Sequence, residues 1–358
     1  MTGSPRALVA RAKRAVVKIG SRTLAGDAAV FARLARAVAG ARREGRGVVL
    51  VSSGAIALGV KKLGYRARPK EIAKLQAAAA AGQSLLMRAY EEAFGAEGLA
   101  VAQVLLTHAD LSDRVRANNA REALGALLDA GAVPVLNEND SVAVEEIKFG
   151  DNDALSSMVV PLVDADLLVL LSDVEGLLDG KGARVPVVHD VEREALPLVR
   201  KGTKSDVGTG GMESKLEAAR RANLAGAHVV IADARSPDVV GRILSGEDVG
   251  TLFVSERKRI RAKKHWIAFT LRPRGDVLLD AGASDAVRER GKSVLAVGVL
   301  GVRGDFGEGD AVRLVDARGG EIGRGLVRCD ARTAAAIAGQ PAAGDPFVLV
   351  HRDELVVF

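Results

Sequence analysis

Short, almost uninterrupted apolar runs alternate with long stretches of helical periodicity from residue 15 to about residue 252. The apolar runs, at residues 15–19, 48–51, 101–105, 133–136, 167–171 and 229–231, are too short for helices and rich in Val, Leu and Ile. Helical patterns lie between them at 31–43, 72–94, 115–130 and 212–225. A strand that is apolar at every position offers no face to water, so it must be covered on both sides. Helical crossovers between such strands make them parallel. The expected fold is therefore α/β, a three-layer sandwich around a mainly parallel sheet.

A chain of 358 residues exceeds one ordinary domain, and its texture changes near residue 274. Beyond that point short Val/Leu runs are broken every few residues by Gly and Asp, as at 298–301 and 304–309, the pattern of a small β-rich module. The expected domains are 12–254 and 275–353, joined by a basic linker over 255–274. In that linker eight Lys and Arg stand against the single acid Glu256, which accounts for the whole net charge of +6. A local basic segment is a weaker sign of nucleic-acid binding than a basic domain. Aromatic residues make up only 3% of the chain, too few for a protein that reads bases mainly by stacking.

The lone Cys329 excludes an intrachain disulfide, and no Cys/His set has the spacing of a zinc site. Residues 1–15 carry charges throughout and lack the apolar stretch of a secretory signal. The most apolar segment, 158–171, is interrupted by Asp164 and Asp166 and is no membrane span. A cytoplasmic location is expected.

Ligands of open α/β sheets bind beyond the carboxyl ends of the strands, and five polar segments fall there. Lys18 ends an apolar first strand and is followed by Gly20 and Ser21. A buried ammonium needs an anion, although a lysine at a strand end can also extend to water. Ser52-Ser53-Gly54 joins a strand to a helix and suits either an N-cap or an anion held by free N–H groups. Asn137-Glu138-Asn139-Asp140 follows the fourth strand as a turn or as a recognition cluster for an ammonium group. Gly150-Asp151-Asn152-Asp153 leads into a helix with more carboxylate and amide than capping requires. Gly208-Thr209-Gly210-Gly211-Met212-Glu213-Ser214-Lys215 opens a helix with a glycine-rich turn suited to phosphate, but without P-loop spacing. The Gly-Lys-Ser at 291–293 lacks the upstream glycine of a P-loop and lies in the β-rich module.

In this order, together with Leu171-Ser172-Asp173 and Lys264-His265-Trp266-Ile267-Ala268-Phe269, these segments resemble the motif series of the glutamate 5-kinase family, amino-acid kinases with a C-terminal PUA domain. The resemblance implies transfer of the ATP γ-phosphoryl group, with Mg²⁺ on the nucleotide, to the side-chain carboxylate of L-glutamate, an early step of proline synthesis. By motif, Lys18, Asp153 and Lys215 are the implied catalytic residues, with Asp153 orienting the two lysines. Ser53, Gly54, Asn137, Asp140 and Asn152 are the implied glutamate site. Lys18, Ser172, Asp173 and the run Thr209, Gly210, Gly211, Met212, Glu213, Ser214 and Lys215 are the implied ATP site. No protein-bound metal is implied.

The resemblance also implies a homo-oligomer (dimer or tetramer), proline as a feedback inhibitor, and a glutamyl phosphate reductase as a partner. The chain departs from the family pattern at Ser172, where threonine is usual. It departs again over 177–184, where a tyrosine and an Asp-Pro-Arg-like run are missing. The competing readings are a kinase of the same superfamily for another small carboxylate, and an RNA-binding protein acting through its PUA module and basic segment.

Overall fold

The computed structural model describes residues 4–26, 29–142, 152–200, 211–255, 264, 266–340 and 346–358. The chain divides into two units, Met1–Arg259 and Ile260–Phe358.

In the first unit, strands β1 (Arg14–Ile19), β2 (Gly47–Ser52), β3 (Val101–Leu106), β4 (Val133–Glu138), β5 (Leu167–Ser172), β6 (Val187–Val188), β7 (His228–Asp233) and β8 (Thr251–Phe253) form one sheet. Their order is β3-β4-β2-β1-β5-β7-β8-β6. Every neighbouring pair is parallel except β7 with β8. The longer helices of this unit are α1 (Ala29–Arg43), α2 (Ala55–Lys62), α3 (Ile72–Gly95), α4 (Arg114–Asp129), α5 (Asn152–Leu162), α6 (Met212–Leu224) and α7 (Val239–Leu244). This is the mainly parallel sandwich that the apolar runs demand. The strands that periodicity does not reveal are β6 and β8, both too short to carry a pattern.

The two faces of the sheet bury separate cores, and the alternation of side chains along a strand decides which residue joins which. Val17, Ile19, Leu50, Val135 and Val169 pack with residues of α1, α3 and α7. Val16, Val49, Val51, Leu168 and Leu170 pack with α4, α5 and α6. Lys18 lies two residues after Val16 on β1, so its side chain emerges on the face covered by α5 and α6. Ser52 lies two residues after Leu50 on β2, so it emerges on the face of α3. There its hydroxyl meets that of Tyr90 at 2.9 Å. Burial drives the Tyr90 pKa upward and keeps the phenol neutral.

Helices α2 and α3 approach through glycines. A Cβ placed on Gly59 would fall 1.7 Å from the Ala78 carbonyl oxygen, and one on Gly82 would fall 1.8 Å from that of Ala55. No side chain fits between the two backbones at these points. The small-residue run Ala77–Gly82 of α3 is thus a packing requirement as well as a source of helix propensity.

The second unit holds strands β9 (Gly275–Leu279), β10 (Val294–Leu295), β11 (Val299–Gly304), β12 (Ala311–Val315), β13 (Glu321–Val327) and β14 (Val348–Val357), with helices α8 (Ala281–Arg288) and α9 (Ala331–Ile337). The sheet order is β10-β14-β13-β12-β9-β11, with only β12 and β9 parallel. Val277, Leu279, Val312, Leu314, Leu349 and Leu355 make its own core. The Gly-Lys-Ser at 291–293 follows α8, with Gly291 at φ 58°, and opens no helix. Residues 256–263 and 265 of the basic linker, with five of its eight Lys and Arg, lie outside the described residues.

Candidate active site

The carboxyl ends of β1, β2, β4 and β5 bring the polar motifs to one edge of the first unit. Lys18 is the penultimate residue of β1, and Asp153 is the second residue of α5. Lys215 lies on the first turn of α6, whose N-cap is Gly211. One Asp153 carboxylate oxygen lies 2.6 Å from Lys18 Nζ, and the other lies 3.1 Å from Lys215 Nζ. Ser214 donates to the same oxygen as Lys215, at 3.2 Å. The three charged residues are only 0%, 8% and 5% exposed for Asp153, Lys18 and Lys215.

Burial alone would raise the Asp153 pKa, but the two ammonium groups outweigh it and hold the carboxyl below its ordinary range. Desolvating such ions costs several kcal/mol each, and ion pairs of this kind return little net stability. A buried cluster with two cations on one anion is therefore better explained by an anionic ligand than by folding.

Next to it stands a cluster of amides. Asn152 Nδ2 lies 2.7 Å from the Ser52 carbonyl oxygen, 2.7 Å from Ser53 Oγ and 3.1 Å from Asn137 Oδ1. Asn137 Oδ1 also accepts from the Glu138 backbone N–H, and Asn137 Nδ2 donates to Gln83 Oε1 at 3.0 Å. Because Asn152 and Asp153 are consecutive, the amide cluster and the lysine cluster form one continuous site. Gly54, the N-cap of α2, has φ 102°, a left-handed conformation that favours glycine and turns the chain sharply after Ser53. Asp140 is half-buried in the turn after β4.

On the neighbouring strand end, Ser172 Oγ donates to Asp173, and Arg22 pairs with Asp173 at 2.5 Å. Partial burial tends to raise the Asp173 pKa. Its own backbone N–H, Arg22, Ser172 and the field of Lys215 together lower it. Arg235, at the end of β7, donates to the Asp173 carbonyl oxygen and to the Asp233 carboxylate. Met212 and Ser214 are half-exposed and Glu213 is exposed on the first turn of α6. Thr209, Gly210, Gly150 and Asp151 lie outside the described residues.

The divergent loop after Gly176 closes on itself. Asp179 accepts from the backbones of Lys181 and Ala183, and Arg184 forms two bonds to Asp248. Arg6 joins that carboxylate and also donates to the carbonyls of Val249 and Gly250. Arg184, Asp248 and Arg6 therefore make this loop part of the scaffold.

Sequence reasoning missed Gln83, Tyr90, Arg22 and Arg235. For Gln83 a signal exists: it falls in line with Ala79, Leu86 and Tyr90 on the buried stripe of α3, and a buried polar residue needs a partner.

No cluster of three or more His, Cys, Asp or Glu suited to a metal ion occurs among the described residues. The central carboxylate is already occupied by two ammonium groups. No helix among those residues is long and apolar enough to cross a membrane.

The chain belongs to the amino acid kinase family, whose model matches residues 13–233, and a PUA domain model matches residues 275–344. Among curated relatives it is 48% identical over 370 residues to the glutamate 5-kinase of Myxococcus xanthus, covering 98% of each chain. It is also 48% identical over 361 residues to that of Thermus thermophilus, with 97% of each chain covered, and 45% identical over 371 residues to that of Geobacter metallireducens, covering 98% of this chain and 99% of the relative. Within the family, the chain groups with these glutamate 5-kinases. A solved structure of N-acetylglutamate synthase from Neisseria gonorrhoeae shares the fold, with TM-score 0.50 and 15% identity over 68% of this chain and 62% of that one.

Proposed function

We propose that this protein transfers the γ-phosphoryl group of ATP to the side-chain carboxylate of L-glutamate, giving L-glutamyl 5-phosphate, the first step of proline biosynthesis. The carrying observation is the buried Lys18–Asp153–Lys215 cluster, continuous with the Ser53–Asn137–Asn152 cluster. The names of the full-length relatives support the choice of substrate.

The nucleophile is a carboxylate, ionised at neutral pH, so the reaction needs no general base. What remains for the protein is positioning and the stabilisation of charge on the transferred group. The glutamate oxygen forms a bond to the γ-phosphorus as the bond from phosphorus to the β–γ bridging oxygen breaks, and ADP leaves with that oxygen's electrons. Lys18 and Lys215 supply positive charge to the phosphoryl oxygens from opposite sides. Asp153 holds both ammonium groups in place. Ser53, Gly54, Asn137, Asp140 and Asn152 hold glutamate. Ser172, Asp173, Thr209, Gly210, Gly211, Met212, Glu213 and Ser214 line the nucleotide side. Mg²⁺ enters as part of the nucleotide substrate, on its phosphate oxygens. This reading places the kinase in residues 12–254 and a separate PUA domain in 275–353.

With Mg-ATP, L-glutamate and hydroxylamine, the purified protein is expected to release ADP and yield the γ-hydroxamate of glutamate. Hydroxamate formation only with acetylglutamate or aspartate would overturn the substrate and leave the phosphoryl chemistry standing. Lys18→Met is expected to lower kcat on the order of 10²–10³-fold, the scale of one lost charge contact to the transition state. Lys18→Arg should not restore it, because a planar fork does not replace a compact ammonium. Near-normal turnover in Lys18→Met would remove this residue from the chemistry.

A further inference from the structure

The amide cluster has a direction, fixed by backbone groups at two points. The Ser52 carbonyl can only accept, so the atom of Asn152 facing it must be the nitrogen. The Glu138 N–H can only donate, so the atom of Asn137 facing it must be the oxygen. Asn137 therefore turns its nitrogen toward Gln83, and Gln83 must answer with its oxygen. This leaves Gln83 Nε2, on a residue only 9% exposed, as a buried N–H₂ group without a hydrogen-bond partner among the described residues. Buried donors are normally satisfied, and an orphan is costly. The rest of the cluster prevents the amide from flipping to relieve the cost.

We propose that Gln83 is a specificity-determining residue of the amino-acid site and that its Nε2 donates to the α-carboxylate of the bound substrate. The inference rests on the phosphorylation of L-glutamate proposed above. In bonding order, Asp153 is followed by its neighbour Asn152, then Asn137, then Gln83. The lysine end of this sequence takes the reacting side-chain carboxylate, and the Gln83 end takes the opposite end of the amino acid. An N–H₂ donor there selects an acceptor. The α-carboxylate supplies one and the α-ammonium does not, so the ammonium falls to the acidic turn at Asp140. Ligand binding then satisfies a donor that the free protein leaves unmet, and such groups discriminate strongly against analogues lacking the matching partner.

The test compares wild type with Gln83→Met and Gln83→Glu. The first removes the donor at similar volume. The second keeps an oxygen for Asn137 and replaces only the N–H₂. In each variant that melts like wild type, KM for L-glutamate is expected to rise about 10- to 100-fold, the cost of one lost hydrogen bond to a charged group. kcat and KM for ATP should stay within about twofold. 4-Aminobutyrate keeps the reacting carboxylate and the ammonium and has no group in place of the α-carboxylate. Its inhibition constant against L-glutamate should hardly change.

An unchanged KM for L-glutamate would overturn the proposal. An equal loss for 4-aminobutyrate would also overturn it and reduce Gln83 to a prop for Asn137. A wild type that turns over no L-glutamate would instead bring down the proposed function, and this inference with it.

Discussion

Asp153→Asn is expected to lower kcat on the order of 10³-fold or more, a larger loss than removing either lysine alone, because it disturbs both charge contacts. Asparagine has the same shape as aspartate but offers one oxygen and one N–H₂ where the native residue offers two oxygens. Lys18 and Lys215 each approach a different oxygen. One ammonium would thus face a donor, and both would lose the carboxylate charge that makes their burial tolerable. Breaking a buried ion pair from one side costs about 3–5 kcal/mol. The variant should therefore melt at a lower temperature, with one lysine turned outward.

The pH dependence supplies an independent check. The native pKa of Asp153 is depressed, so its contribution to stability is present above the unfolded value of about 3.9 and is lost as pH falls through the lower native value. Wild type should lose stability below about pH 4 more steeply than Asp153→Asn when unfolding temperature is followed against pH. Parallel curves together with near-native turnover would refute the assigned role.

Gly82→Ala should be, with Gly59→Ala, among the most damaging single-methyl changes outside the charged cluster. Its Cβ would fall 1.8 Å from the Ala55 carbonyl oxygen and 2.5 Å from the Gly59 nitrogen. Both are backbone atoms, so no rotamer change relieves the clash, and α2 and α3 must separate. Overpacking commonly costs about 1–3 kcal/mol, and a rigid backbone neighbour places this case at or above the upper end. Ala55 opens α2 directly after the Ser53-Gly54 turn, and Gln83 follows Gly82 on α3. Separating the helices therefore also moves the proposed glutamate site. The expected result is a lowered urea midpoint together with a raised KM for L-glutamate. A midpoint within experimental error of wild type would mean that the helices can part without cost.

The sheet was legible because its central strands are apolar on both faces, as 15–19 and 167–171 show. What periodicity could not show was β8, three residues running antiparallel, and β6, only two residues long. The polar motifs were individually visible but ambiguous: Lys18 could have reached water, and Asp153 could have been a plain helix cap. Their juxtaposition depends on strand order, which puts β1 between β2 and β5, and on Lys18 sharing the face of Val16. Gln83 was legible only in part. Its place on the apolar stripe of α3 marks a buried polar residue, but its role comes from the direction of hydrogen bonds made by residues distant in sequence.

The central position of β1 also bears on how the molecule is assembled. β1 pairs with β2 nearby in the chain, but its other edge pairs with β5, whose residues 167–171 come about 150 positions later. Long-range parallel pairing of this kind is slow, and during synthesis the open edge is exposed to other chains. An edge reading Ala-Val-Val-Lys-Ile is a typical aggregation-prone run except for its one charge. A lysine inside such a run is a gatekeeper against aberrant strand addition. Lys18, proposed above to act in phosphoryl transfer, is thus also the one charge in that run while its second edge stands open.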